Sequence, residues 1–177
     1  DALPICTIAR SGTKAFLDAL EAGGRYPHVV WPEHCLIGDP GGNVWPPLSA
    51  AIHRWEREHR TQAGYVVKGT NPWTEHFSAI RAEVPDPLDP GTQVATGLVR
   101  ALEQADRILV AGEARSHCVA NTVRDLVAGF ADPRSVTKVY LISDATSDVP
   151  GFEAYGRSFV HDLARMGMGI TATTDLD

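Results

Sequence analysis

The sequence predicts an α/β fold: a Rossmann-like, doubly wound, mostly parallel sheet with helices on both faces. Three observations carry that prediction. Short apolar runs bounded by glycine or charge recur at Gly64 to Val67, Ile108 to Ala111, Val139 to Ser143 and Ile170 to Thr173. Segments with helical periodicity fill the intervals between them. Small-residue turns join the two kinds of segment. A continuous apolar run without polar alternation is the pattern of a parallel strand covered on both faces. Strands that alternate with helical patterns indicate βαβ units.

The elements follow in chain order. From Pro47 to Arg60, Leu48, Ile52 and Trp55 share one helical face. The run Gly64 to Val67 is the first strand and ends in Lys68 and Gly69. Val84 to Gly91 (VPDPLDPG) is dense in Pro and Asp, so it reads as a rigid surface connection within one domain. From Thr92 to Gln104 a helix sets Val94, Leu98 and Leu102 together. The strand Ile108 to Ala111 enters the turn AGEARSHCVANT, and the helix from Cys118 to Phe130 aligns Val119, Val123, Leu126, Val127 and Phe130. Gly129 is its stop signal. The strand Val139 to Ser143 ends at Asp144 and Ala145. The last helix, Phe152 to Met166, carries Phe159, Leu163 and Met166 ahead of Gly167 and the final strand. Neither repeats nor low-complexity tracts interrupt the chain, and residues 1–177 read as one domain.

Composition narrows the function. Among 177 residues, 22 Asp and Glu outnumber 16 Lys and Arg, for a formal net charge of −6. That balance, with no basic blocks, argues against a protein that grips nucleic-acid phosphates and favours a small-molecule partner. No apolar run approaches the ~18 residues of a membrane span. Cys6, Cys35 and Cys118 are odd in number and lack C-x-x-C spacing, which fits a reducing, cytoplasmic setting with at least one free thiol. The opening DALPIC has neither the charged n-region nor the apolar h-region of a signal peptide. It matches an in-frame translation of a common sequencing adapter, so residues 1–6 are read as a non-native cloning or assembly scar.

Chemistry concentrates at three places. Cys118 lies where a buried strand passes through a small-residue turn into a helix, and open α/β sheets present reacting groups beyond the carboxyl ends of their strands. The positive potential of a first helical turn favours a thiolate, and its N–H groups can hold an oxyanion. Lys68 ends a strand and points into the same crevice, where a cation would favour both anions. The third place is Trp31 to Gly38, WPEHCLIG, in which His34 is a possible metal ligand, although one histidine is far short of a zinc site. Cys35 beside it reads as packing, because neighbours in an extended segment point apart. His117 is not expected to act as base for Cys118, since adjacent helical residues do not face each other. Trp31, Trp73 and Phe77 are aromatic candidates for stacking on a planar substrate. Glu75 and His76 read as surface residues.

Together the three clusters resemble the isochorismatase-like cysteine hydrolase superfamily, which includes the nicotinamidases. Trp31, Pro32, His34, Cys35 and Gly38 form W-P-x-H-C-x-x-G, Lys68 stands in VVKG, and Cys118 in GEARSHCVANT. The variants WPEHCLIG, TEHFSA and GEARSHCVANT are most similar to the longer bacterial members. The resemblance implies that Cys118 attacks a small amide, with nicotinamide the default, releasing ammonia through a thioester while Lys68 positions and polarises. It implies a cis peptide at Glu113-Ala114, an oxyanion hole from the N–H groups of Ala114 and Cys118, a zinc-like divalent metal held in part by His34, and a homo-oligomer. The family's triad also holds an aspartate at the end of its first strand, and its metal site a D-x-H pair; neither is found here. The chain is therefore expected to be the carboxyl-terminal portion of a longer enzyme, without its first two strands, inactive and prone to aggregate as it stands. Two other classes stay open: a thiol redox or binding protein acting through Cys118, which lacks a resolving cysteine, and a non-catalytic scaffold subunit of the same fold.

Overall fold

A computed structural model describes residues 13–23, 29, 31–36 and 38–176. Cys6 and the expected scar at 1–6 lie outside the described residues. The chain runs through α1 (Thr13–Gly23), α2 (Pro46–His59), α3 (Thr96–Glu103), β1 (Ile108–Val110), α4 (Ala120–Ala128), β2 (Val139–Ile142), α5 (Glu153–Met166) and β3 (Gly169–Thr171).

The three strands form one parallel sheet in the order β1-β2-β3, with Ile108 opposite Val139 and Leu141 opposite Ile170. Parallel neighbours require a crossover, and α4 and α5 supply the two. Ile108, Val139 and Leu141 join one buried cluster with Val123 and Leu126 of α4 and Phe159 and Leu163 of α5. Val123, Val139 and Phe159 are completely buried, and each such side chain stabilises by roughly 1.5–3 kcal/mol relative to exposure. On the opposite face Leu109 is 44% exposed, and the Arg107 guanidinium lies 5.3 Å from the centre of the Tyr140 ring. Gly169 pairs with Tyr140, and a Cβ there would stand 2.3 Å from the ring, so any other residue must displace the tyrosine side chain.

Several boundaries differ from the sequence reading. Gly64 to Val67 is not a strand: Tyr65, Val66 and Val67 are 64%, 52% and 72% exposed, and among the described residues nothing pairs with them to make a ladder. An apolar run becomes a strand only with a hydrogen-bonding neighbour. The Thr92 to Gln104 segment divides into a 3-10 turn at Pro90–Thr92 and the helix α3. The expected Cys118 to Phe130 helix is instead a π turn over Arg115–Val119 that leads into α4. The helix α1 was not anticipated, although Phe16, Leu17 and the buried Leu20 stand at helical spacing.

Candidate active site

The turn after β1 is built against the turn after β2. Gly112 takes φ 120°, a left-handed conformation natural to glycine, and its N–H donates to the Ala145 carbonyl at 2.9 Å. The Glu113 carboxylate accepts from the Ser147 N–H at 3.0 Å and from its hydroxyl at 2.9 Å. The Arg115 N–H donates to the Ser147 carbonyl at 2.7 Å, and its guanidinium pairs with Asp148, Nε donating to Oδ1 at 2.9 Å. The Val149 N–H donates to the Ser116 hydroxyl at 3.0 Å. The Glu113-Ala114 peptide bond is cis.

These bonds fix the π turn that carries Cys118. The Ala114 carbonyl accepts from both His117 N–H, at 3.0 Å, and Val119 N–H, at 3.1 Å. Cys118 is thus the fourth residue of a widened turn, not the opening residue of an α-helix, and Val119 stands between it and α4.

Lys68 comes to Cys118 from the other side. Its Nζ lies 3.8 Å from the Cys118 sulfur and donates to the His76 carbonyl at 2.8 Å. His76 is buried, contrary to its reading as a surface residue. Its Nδ1 accepts from the Gly69 N–H at 3.3 Å, and its own N–H donates to the Glu75 carboxylate at 3.0 Å. Burial, and then the nearby Lys68 ammonium, push the His76 imidazole below its usual range, against an opposing pull from Asp89.

Lys68 and Cys118 open into a cavity of about 520 Å³ that is also lined by Trp31, His34, Cys35, Glu75, His76, Phe77, Glu113, Ala114, His117 and Val149. His117 packs among aromatic rings: Trp31 meets it edge-on at 5.2 Å, Phe152 at 4.8 Å and Phe77 at 5.4 Å between centres. Its Nδ1 lies 2.9 Å from the Ser116 hydroxyl. The same hydroxyl accepts from the Val149 N–H, so Ser116 ties the His117 ring to the turn after β2. Burial holds His117 below the usual histidine range.

Most of the residues singled out in the sequence meet here, with exceptions. Trp73 stands outside the walls of the cavity, 56% exposed, its N–H donating to the Asn71 side chain. Cys35, read as packing, is exposed with φ 53° and faces the cavity, because the positive φ turns it away from the extended alternation assumed for it. His34 donates from Nδ1 to the Pro32 carbonyl at 2.7 Å, leaving Nε2 for a metal. Among the described residues no group of three or more His, Cys, Asp or Glu side chains converges to hold one. The described residues therefore do not complete a metal centre. Arg115, Asp148, Ser116 and His76 escaped the sequence reading. Only the small-polar run after the second strand, DATSD, hinted at a supporting loop.

No model of a protein family matches the sequence, and no curated protein sequence matches it. Solved structures do. A nicotinamidase and pyrazinamidase of Acinetobacter baumanii aligns with 85% of this chain and 62% of its own, at 24% identity and a TM-score of 0.60. The yeast nicotinamidase covers 81% of this chain and 58% of its own at 17% identity and a TM-score of 0.53. A pyrazinamidase of Pyrococcus horikoshii, solved in complex with zinc, covers 81% and 63% at 20% identity and a TM-score of 0.51. The chain thus spans less than two thirds of the length of these structures. Among the described residues no helix is long and apolar enough to cross a membrane. With its parallel sheet and the strand-to-turn-to-helix passage at Cys118, the chain has the isochorismatase-like α/β fold of the nicotinamidases and pyrazinamidases.

Proposed function

We propose that this chain carries the active site of an amidohydrolase that cleaves a small planar amide of the nicotinamide kind. The observation that carries the reading is the Lys68 ammonium 3.8 Å from the Cys118 sulfur, at the wall of a cavity large enough for such a ligand, within a nicotinamidase fold. The sulfur attacks the amide carbon to form a C–S bond. The C–N bond then breaks, and the nitrogen leaves as ammonia with the proton the thiol supplied. Water next adds to the thioester, releasing the acid and returning the thiol. The N–H groups of Ala114 and Cys118 are proposed to hold the oxyanion, and Lys68 to stabilise charge on sulfur and oxygen. Trp31 and Phe77 are proposed to flank the substrate ring. A reducing cytoplasm would keep the Cys118 thiol available, and the exposed apolar groups on the Leu109 face support assembly into a homo-oligomer.

Ammonia release from nicotinamide, pyrazinamide and simple aliphatic amides tests this, with Cys118→Ala as control. Release abolished in Cys118→Ala supports the assignment for the chain as it stands. Its absence in the wild-type chain denies that these residues suffice for turnover, and sends the test to a form extended at the amino end. One observation favours a second reading, a thiol redox protein: Cys35 opens onto the same cavity as Cys118, supplying the second thiol that the sequence reading lacked. A Cys35-Cys118 disulfide found after mild peroxide treatment, with no amide turned over, would favour it.

A further inference from the structure

We propose that the His76 imidazole is a positioning residue, aiming the Lys68 ammonium at the Cys118 sulfur by closing a ring between the two ends of the loop from Lys68 to His76. The inference rests on the amidase reading for its catalytic meaning, while its geometry stands independently. A lysine stem is long and rotatable, so an ammonium is directed only by what it hydrogen-bonds. Here its carbonyl partner belongs to His76, at 2.8 Å, while the sulfur stands at 3.8 Å. The position of that carbonyl therefore sets where the charge lies.

Three contacts fix it. The imidazole turns back to the residue that follows Lys68 and takes the Gly69 N–H on Nδ1 at 3.3 Å. The His76 N–H is held by the Glu75 carboxylate at 3.0 Å. The Glu75 carbonyl in turn accepts from the Glu83 N–H at 2.8 Å. Lys68 and Gly69 are thus joined to one residue twice, side chain to backbone and backbone to side chain, in a closed loop. Gly69 reaches the ring from φ 73°, a left-handed conformation that glycine adopts without cost. An acceptor at Nδ1 requires the neutral tautomer with its proton on Nε2. Burial and the Lys68 cation both favour that neutral form over the imidazolium, while Asp89 opposes them. An asparagine would place its Oδ1 where the histidine has Nδ1, reproducing the acceptor without the ring.

The test reads the thiol directly. In the 177-residue chain, iodoacetamide labelling is followed separately at Cys118 and Cys35 by peptide mass spectrometry, with urea unfolding recorded for each variant. His76→Ala is expected to slow labelling at Cys118 about tenfold, the scale of one hydrogen bond to a charged group, and to leave Cys35 unchanged. His76→Asn restores the rate to within about twofold of wild type if the Nδ1 acceptor is what matters. In a Lys68→Met background the His76→Ala effect disappears, because no ammonium remains to be aimed. Equal rates in His76→Ala and His76→Asn, an unchanged rate in His76→Ala, or an effect that persists without Lys68 each overturn the proposal. If His76→Ala does not fold, His76→Phe, which fills the space without an acceptor, takes its place. Labelling requires no amide turnover, so this pattern in a chain that releases no ammonia upholds the positioning role, whereas ammonia release without the pattern overturns the positioning role and leaves the amidase reading standing.

Discussion

Asp148 and Arg115, 33 positions apart in sequence, form a paired carboxylate and guanidinium in which the acid is 5% exposed and the base 28%. The pair binds the turn that presents Cys118 to the turn after β2. Removing one partner of a largely buried pair leaves the other without compensation, at a cost of ~2–4 kcal/mol. Asp148→Ala is expected to lower the urea midpoint accordingly. It should also slow Cys118 labelling, which a merely local loss would leave untouched.

Gly156 lies beneath that pair. A Cβ on it would stand 1.9 Å from Asp148 Oδ1, so even alanine must displace the carboxylate. Gly156→Ala is expected to destabilise by ~1–3 kcal/mol through overpacking, despite the higher helix propensity of alanine. In the Asp148→Ala background most of that cost should vanish. A double-mutant cycle by urea denaturation measures the coupling, and additive effects would contradict the close approach.

Lys68→Met removes the cation beside the sulfur and keeps the length of the stem. In whichever form of the protein shows turnover, kcat for amide hydrolysis should fall ~10²–10³-fold, as when one transition-state charge contact is lost. KM should change little. Initial ammonia release measures both.

Acid should weaken the fold before it reaches the carboxylates. His76 and His117 are both held below the usual histidine value of 6.5, chiefly by burial. Above that value both states are neutral and these groups contribute no difference. Below it the unfolded chain takes up protons that the folded one refuses, so stability falls as pH drops toward the depressed folded values. Thermal midpoints should decline from pH 7 to 5. His76→Asn should make the decline shallower, and an unchanged slope would show that this ring is not responsible.

Much of this architecture is legible in the residues. The runs at Ile108 and Val139 are strands because each has a parallel neighbour and a helix to cover it, so burial and pairing agree with local character. Gly64 to Val67 has the same character without the neighbour, and stays exposed. The π turn leaves no trace in side-chain periodicity, since one residue of extra backbone width changes no residue type. This is why Cys118 was placed at the start of an α-helix. His76 and Cys35 were misjudged for another reason: whether a polar side chain turns inward depends on partners distant in sequence and on a backbone angle, and composition encodes neither. Lys68 stands out in the sequence because it closes the apolar run Gly64 to Val67, and Cys118 because it follows the small-residue turn after the Ile108 strand; the fold brings the two side chains to 3.8 Å.

The bonds from residues 145–149 to residues 112–116 change how natural variation in this chain is to be read. Ala145, Ser147 and Val149 contain no reactive group, and a substitution there would ordinarily be scored as a tolerated change in a surface loop. Ser147 and Val149 hold the backbone on which the thiol is mounted, so differences at these positions between related chains belong with differences in reactivity. Gly156, on a helix that never touches the sulfur in sequence, belongs with them.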